Sequence, residues 1–196
     1  LYYGADFTFL NAKGQQEAAD MIMELYCVEA AEHGIEHVQI LSPFRSRGEA
    51  SVEQMNAVIR EIINPERGSQ YDIRVGQTIF RVGDRIMQNQ NTDKVSNGDL
   101  GFIRSISREK DEIKLGVDFG EGRCYSYSME DATRLEHAYA TTIHKSQGSE
   151  YGVVIIPVIR AHAIMLRRNL IYTAITRAKQ KVILIGQFPM LYMAIG

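Results

Sequence analysis

The run Val153-Val154-Ile155-Ile156-Pro157-Val158-Ile159 contains no polar side chain. Successive side chains of a strand point to opposite faces, so a strand with one wet face must alternate apolar and polar residues. An unbroken apolar run of this length instead demands a strand covered on both sides, as in a parallel sheet. Val38 to Leu41, ahead of Ser42-Pro43, and Lys181 to Gly186 read as further buried strands. Leu135 to Ala140 is another strand candidate. Helical patterns lie between these runs, which implies right-handed βα crossovers in an α/β domain.

The helices carry their own signals. Ala18, Ile22, Leu25 and Val28 recur at helical spacing over residues 15 to 32, and Gly34 suits a left-handed stop. Ser51 and Gln54 form a capping-box pattern ahead of Val52, Met55, Val58, Ile59 and Ile62, and Asn64-Pro65 ends that face. Leu166, Leu170, Thr173 and Arg177 occupy neighbouring helical positions.

Between about Gln77 and Tyr127 the period changes to two. Ile79 to Met87 and Leu100 to Ile106 read as strands. Ile113, Leu115, Val117 and Phe119 alternate with polar or small residues, and Gly120-Glu121-Gly122 turns the chain into Arg123 to Tyr127. Four short strands with glycine-rich turns predict a small antiparallel β-barrel set into the α/β domain. The expected organisation is 1–74 and 134–196 as two parts of one domain, with 75–133 as the insert.

Hydrophobic residues make up 45% of the 196, enough for a core of this size. The net charge of −2 hides an asymmetry. Leu135 to Gly196 carries seven basic residues against Glu136 and Glu150, whereas Leu1 to Gly34 carries six acids against Lys13. An anionic partner would meet the C-terminal third first. The insert, with 8 basic and 10 acidic residues from Val75 to Asp131, is not a basic module. Cys27 and Cys124 form no C-x-x-C pair, so no metal site is expected, and isolated thiols fit a reducing, cytoplasmic setting. There is no apolar run of about 18 residues, so no membrane partner is expected.

A phosphate-cradling G-x-x-x-x-G-K-[ST] loop is missing, since the chain has no Gly-Lys pair. Asp111-Glu112 follows Arg108-Glu109-Lys110 rather than an apolar strand, which makes it a poor magnesium site. Alone, this chain is expected not to hydrolyse ATP. Two segments are nevertheless dense in phosphate-binding chemistry. Thr142, His144, Lys145, Ser146 and Gln147 place hydroxyls, an imidazole and a cation within six residues, beyond a strand where α/β sheets bind ligands. Gly148 permits close backbone approach, and Glu150 suits a ribose hydroxyl. Arg177, before Ala178-Lys179, stands where an arginine can reach a nucleotide held by another domain. Singly, each residue also fits an ordinary polar helix start or a C-terminal arginine complementing a helix dipole.

Together the segments resemble a known family. Ala138 to Glu150, with Thr141-Thr142-Ile143-His144-Lys145-Ser146-Gln147-Gly148 at its centre, resembles motif V of superfamily 1 helicases. Asn169 to Lys179, with Tyr172-Thr173-Ala174-Ile175-Thr176-Arg177-Ala178-Lys179, is similar to motif VI. Gln39-Ile40-Leu41-Ser42-Pro43 with Arg45 looks like motif IV of the RecD-like branch, and Asn64-Pro65 matches an Asn-Pro of that branch. Gly83-Asp84-Arg85-Ile86-Met87-Gln88 and Asn97-Gly98-Asp99-Leu100-Gly101 resemble its SH3-like insert. The likeness spans about Asp6 to Gly186 and includes TraA-like proteins, in the 5′-to-3′ class.

That resemblance implies a RecA-like parallel sheet with helices on both faces, interrupted by an SH3-like barrel. It implies the C-terminal motor half of an ATP-dependent DNA helicase. ATP and Mg²⁺ would be held mainly by an N-terminal P-loop domain of the same polypeptide, and single-stranded DNA would be the other partner. Arg177 would be the arginine finger. Gly148, Glu150 and Arg45 would face the nucleotide, with Arg47 an alternative to Arg45. Thr142, His144, Lys145 and Ser146 would hold the strand. Asn97, at a hairpin tip, would touch DNA as well as make its Asn-Gly turn. Tyr125 and Tyr127 would be either a base-stacking surface or the barrel's core face. Two other readings stay open from sequence: a non-catalytic interaction module, and the C-terminal part of a conjugative relaxase.

Overall fold

The computed structural model describes residues 6–109 and 112–195. Asp111 therefore lies outside the described residues. The chain forms two compact units, one from residues up to 59 together with 139 onward, the other from 60 to 138. In chain order the elements begin with β1 (Asp6–Asn11), α1 (Gln15–His33), β2 (Val38–Ser42) and α2 (Val52–Ile63). Then come β3 (Asp72–Val75), β4 (Thr78–Arg81), β5 (Arg85–Gln88), β6 (Leu100–Glu109), β7 (Glu112–Asp118), β8 (Cys124–Ser128) and β9 (Leu135–His137). The chain closes with β10 (Ala140–Thr142), β11 (Tyr151–Val158), α3 (Arg168–Ile175), β12 (Ala178–Gly186) and α4 (Phe188–Ile195).

The first unit is a parallel sheet of order β1-β12-β11-β2-β10. Every residue of β11 is buried, as its apolar run requires, because helices cover the sheet. Helix α1 turns Ala18, Ala19, Ile22, Tyr26 and Ala30 inward. It ends at Gly34, whose φ of 93° is open to glycine and whose N–H donates to Ala30 at 3.0 Å. Helix α2 starts under its cap, with the Gln54 amide donating to the Ser51 hydroxyl at 3.4 Å. Strand β1 escaped the sequence reading. It is a sheet edge of intermediate exposure, so Asp6 to Asn11 carries only a weak pattern.

The second unit holds an antiparallel sheet of order β8-β7-β6-β5-β9 and the separate hairpin β3-β4. Val75, Phe80, Ile86, Ile103, Leu115, Val117 and Leu135 make its core. Tyr127 belongs to that core too, which decides it as a core-face residue, whereas Tyr125 is only partly buried against it.

Three expectations need correction. The stretch Ile79 to Met87 is not one strand. It breaks at Val82-Gly83-Asp84, where Gly83 takes φ 98° and Asp84 turns fully inward. Asp84 accepts from Arg60 Nε at 2.9 and 3.0 Å, from Asn64 Nδ2 at 2.8 Å and from the Arg81 amide at 2.7 Å, with His137 Nε2 at 3.1 Å. Leu135 to Ala140 is likewise two strands, β9 in the insert sheet and β10 in the parallel sheet. The insert unit also runs wider than 75–133, because Arg60 and Asn64 are tied to Asp84 and the β3-β4 hairpin begins at Asp72.

Candidate functional site

The strand register sorts the motif residues onto two edges of the parallel sheet. Thr142 is level with Ser42, at the C-terminal end of β2. Val153 is level with Val38, at the N-terminal end of β2, and Tyr151 with Ala178. The chain between Thr142 and Val153 thus descends the sheet by about 13 Å, four steps of roughly 3.3 Å. Sequence reasoning placed Thr142 to Gln147 at the C-terminal edge and assigned no edge to the residues beyond. Only the Thr142 end is there.

At the C-terminal edge, α2 positions β10. Asn56 Nδ2 donates to the Ala140 carbonyl at 3.1 Å, and the Ala140 amide donates back to Asn56 Oδ1 at 2.8 Å. Thr142 follows, half-buried, its hydroxyl accepting from the Lys145 amide at 3.2 Å. His144 is exposed and Lys145 half-buried. Ser146 is different. It is fully buried, and its hydroxyl donates to the Ile143 carbonyl at 2.7 Å. That hydroxyl closes the turn from inside the protein and, unlike His144, does not face solvent.

At the N-terminal edge the two motif segments meet through Arg177. Its Nη1 donates to the Ser149 carbonyl, its Nε to the Thr173 carbonyl and its Nη2 to the Thr176 hydroxyl, each at 3.3 Å. The Arg177 carbonyl accepts from the Tyr151 amide at 2.8 Å, which locks the backbone beneath. The side chain is half-buried, and among the described residues no carboxylate pairs with it. Gly148 is exposed with φ 88° and open space where a Cβ would stand. Glu150, exposed, pairs with Lys179 Nζ at 3.1 Å. Gly148, Glu150 and Arg177 are therefore brought together.

Arg45 is not among them. It is exposed on the loop after β2, at the opposite edge, and its Nε pairs with Glu53 at 3.2 Å. Arg47 is exposed on the same loop, its guanidinium 5.4 Å from the centre of the Phe44 ring. Sequence reasoning missed His162, buried in the turn after β11, because a lone histidine between Ala161 and Ala163 carries no pattern.

The UvrD-like helicase C-terminal domain matches residues 137–185. The SH3 domain of ATP-dependent RecD-like DNA helicases matches residues 55–119. The chain thus carries a UvrD-like helicase C-terminal domain and a RecD-like helicase SH3 domain. The ATP-dependent RecD2 DNA helicase of Deinococcus radiodurans is 34% identical over 146 residues, 74% of this chain and 19% of the relative. The conjugal transfer protein TraA of Agrobacterium fabrum is 30% identical over 136 residues, 66% of this chain and 12% of the relative. The solved Pif1 helicase of Candida albicans shares 16% identity at a TM-score of 0.49, over 84% of this chain and 50% of that one, a likeness too loose to carry a functional argument. The chain spans less than a quarter of the length of either curated relative.

In the RecD-like insert, Asn97 is exposed in the loop between β5 and β6, its amide donating to Asn91 Oδ1 at 2.8 Å. Gly98 takes φ 97°, so the Asn-Gly pair makes the tight turn expected of it. Among the described residues one grouping, Glu29, Glu32 and His33, clusters donors that could hold a metal. Lys181 already binds Glu29 Oε1, so an ion there would face an ammonium. No described helix is long and apolar enough to cross a membrane.

Proposed function

We propose that this chain is the C-terminal motor portion of an ATP-dependent 5′-to-3′ DNA helicase. In that reading Arg177 is the arginine finger, Gly148 and Glu150 border the nucleotide, and Thr142, His144 and Lys145 grip single-stranded DNA. One observation carries the reading: a half-buried guanidinium whose side-chain partners are all neutral oxygens, with no carboxylate among the described residues. A cation so placed lacks a counter-charge. Its three bonds sit at the long end of the hydrogen-bond range and use three of five donors, so an anionic oxygen can compete for it. A γ-phosphate held by a P-loop domain is the anion that the resemblance implies.

Mg²⁺-ATP would supply the phosphoanhydride whose cleavage drives stepping. Arg177 would donate to the terminal phosphate and steady charge as it develops. Closure on that phosphate would pull the Ser149 carbonyl bond, and the chain from Ser149 leads back to the Thr142 turn on the other edge. The directionality follows the branch of the family rather than any residue here.

The test uses the full-length protein. Arg177→Ala is expected to cut ATP hydrolysis by about 10³-fold or more while single-strand affinity is kept. Arg177→Lys is expected to stay impaired, because a point charge does not replace the planar fork. Undiminished hydrolysis in Arg177→Ala would overturn the assignment and leave an interaction module as the better account.

A further inference from the structure

The loop from Pro43 to Ser51 leaves β2 at the C-terminal edge and carries Arg45 and Arg47 into solvent. It has no regular structure of its own beyond its turns; the Val52 and Glu53 amides tie down Phe44 and Arg45, the Ser42 hydroxyl holds Ala50, and at Arg47 the side-chain tie is His162. That residue is fully buried, and its Nε2 lies 2.9 Å from the Arg47 carbonyl oxygen. A carbonyl can only accept, so Nε2 carries the proton and donates. The His162 ring also packs on Phe44, centroids 5.4 Å apart at 44°, and Phe44 in turn carries the Arg47 guanidinium. Gly48 lets the loop lie close: a Cβ there would stand 3.1 Å from Ala161 Cβ, at a φ of 86°. Nδ1 of His162 is buried without a hydrogen-bond partner. A buried acceptor left unpaired is costly, and a phenyl ring of similar size would avoid that cost. What phenylalanine would lose is the bond to Arg47.

We infer that His162 is a positioning residue which clamps the Arg47 carbonyl and so aims Arg47 at the phosphates of a single nucleic-acid strand lying along the Thr142–His144 edge. The inference rests on the proposed DNA-side reading and moves this loop from the nucleotide to the strand. Arg47 suits the task because among the described residues no carboxylate pairs with it, whereas Arg45 is paired with Glu53.

A neutral ring suits the clamp best, because an imidazolium would keep the Nε2 donor but bring a charge into a buried site. A second proton would sit on Nδ1, which has no acceptor. Burial pushes the His162 pKa below its ordinary 6.5, against the opposing effect of the Arg47 carbonyl bond. The charged groups acting on the ring are Arg47, which disfavours its protonation, and Glu49, which favours it. Burial of the ring against Arg47 is therefore favoured at neutral pH and weakened as pH falls below the ordinary histidine range.

The experiment is a fluorescence titration of the full-length protein with single-stranded oligonucleotide, over salt and pH. Arg47→Ala and His162→Phe are each expected to weaken binding about tenfold at pH 7.5. Each should flatten the slope of log affinity on log salt by about 0.7, one phosphate contact on a single strand. His162→Gln, which restores an N–H donor but does not titrate, is expected to recover most of the affinity. Wild type should lose affinity relative to His162→Gln between pH 7 and 5.5. Every other group titrates in both proteins, so the difference isolates His162. The inference is overturned if His162→Phe binds as wild type while Arg47→Ala is weak. It is equally overturned if His162→Gln keeps the wild-type pH step, a readout that stands even where the Phe variant misfolds. If Arg47→Ala binds normally, the loop's DNA placement fails, while the Arg177 hydrolysis test is untouched.

Discussion

His144 and Ser146 lie two positions apart and face opposite ways. Ser146 is sealed in, its hydroxyl on the Ile143 carbonyl and its amide on the Thr142 carbonyl at 3.2 Å. Ser146→Ala would strand a buried carbonyl, so the first unit should lose about 1–2 kcal/mol in thermal unfolding with single-strand affinity unchanged. His144 is exposed, so His144→Ala should do the reverse: fully retained stability, and a several-fold weaker strand titration with ATP affinity unaltered. A Ser146→Ala protein that binds DNA poorly at full stability would reverse the two roles. Residue types alone could not separate them. Both offer polar groups in one short segment, and the turn after Thr142 has no period from which to read which side chain points inward. Arg45 and Arg47 look alike in sequence too, and differ only once Arg45 is seen paired with Glu53 and Arg47 over the Phe44 ring.

At the scale of elements, burial on both faces leaves an unmistakable mark, and edges do not. Strand β11 was legible because nothing polar fits within its covered layer. Strand β1 was not, since it sits on the rim, and neither break in a strand was visible. Gly83-Asp84 looks like one more alternation until Asp84 is seen to turn inward. Leu135 to Ala140 looks continuous until its two halves join different sheets. Strand β12 ends on a tight feature of this kind. Gly186 takes φ 157°, and a Cβ there would fall 2.0 Å from the Val158 carbonyl oxygen. The colliding atom is backbone, so relief requires β11 and β12 to part. Gly186→Ala is accordingly expected to cost about 3 kcal/mol or more in urea unfolding, at the upper end of overpacking penalties. A loss below about 1 kcal/mol would mean that the β12 terminus is slack.

The whole molecule joins two units held together by different forces. The first rests on an apolar parallel sheet, the second on an apolar core plus a charge buried at Asp84. Desolvation by itself would raise the Asp84 pKa. His137, Arg60 and Asn64 outweigh it and hold the carboxyl below its ordinary 3.8. A carboxyl depressed in the folded state adds stability that is present above its unfolded value and is lost as pH falls through the folded one. Acid should thus loosen residues 60–138 through this group, with no matching effect from it on the parallel sheet. Asp84→Asn keeps the shape but leaves Arg60 and His137 facing a neutral amide. Removing one side of a buried ion pair typically costs about 3–5 kcal/mol. Amide hydrogen exchange resolves the location: protection in β5 and β6 should fall by two to three orders of magnitude, since about 1.4 kcal/mol is tenfold. Protection in β11 and β12, whose buried centres from Val153 to Val158 and from Val182 to Ile185 are apolar, should hold. Equal losses in both units would mean that Asp84 supports the entire chain rather than the insert, and undiminished protection in β5 would mean that its ion pairs contribute nothing.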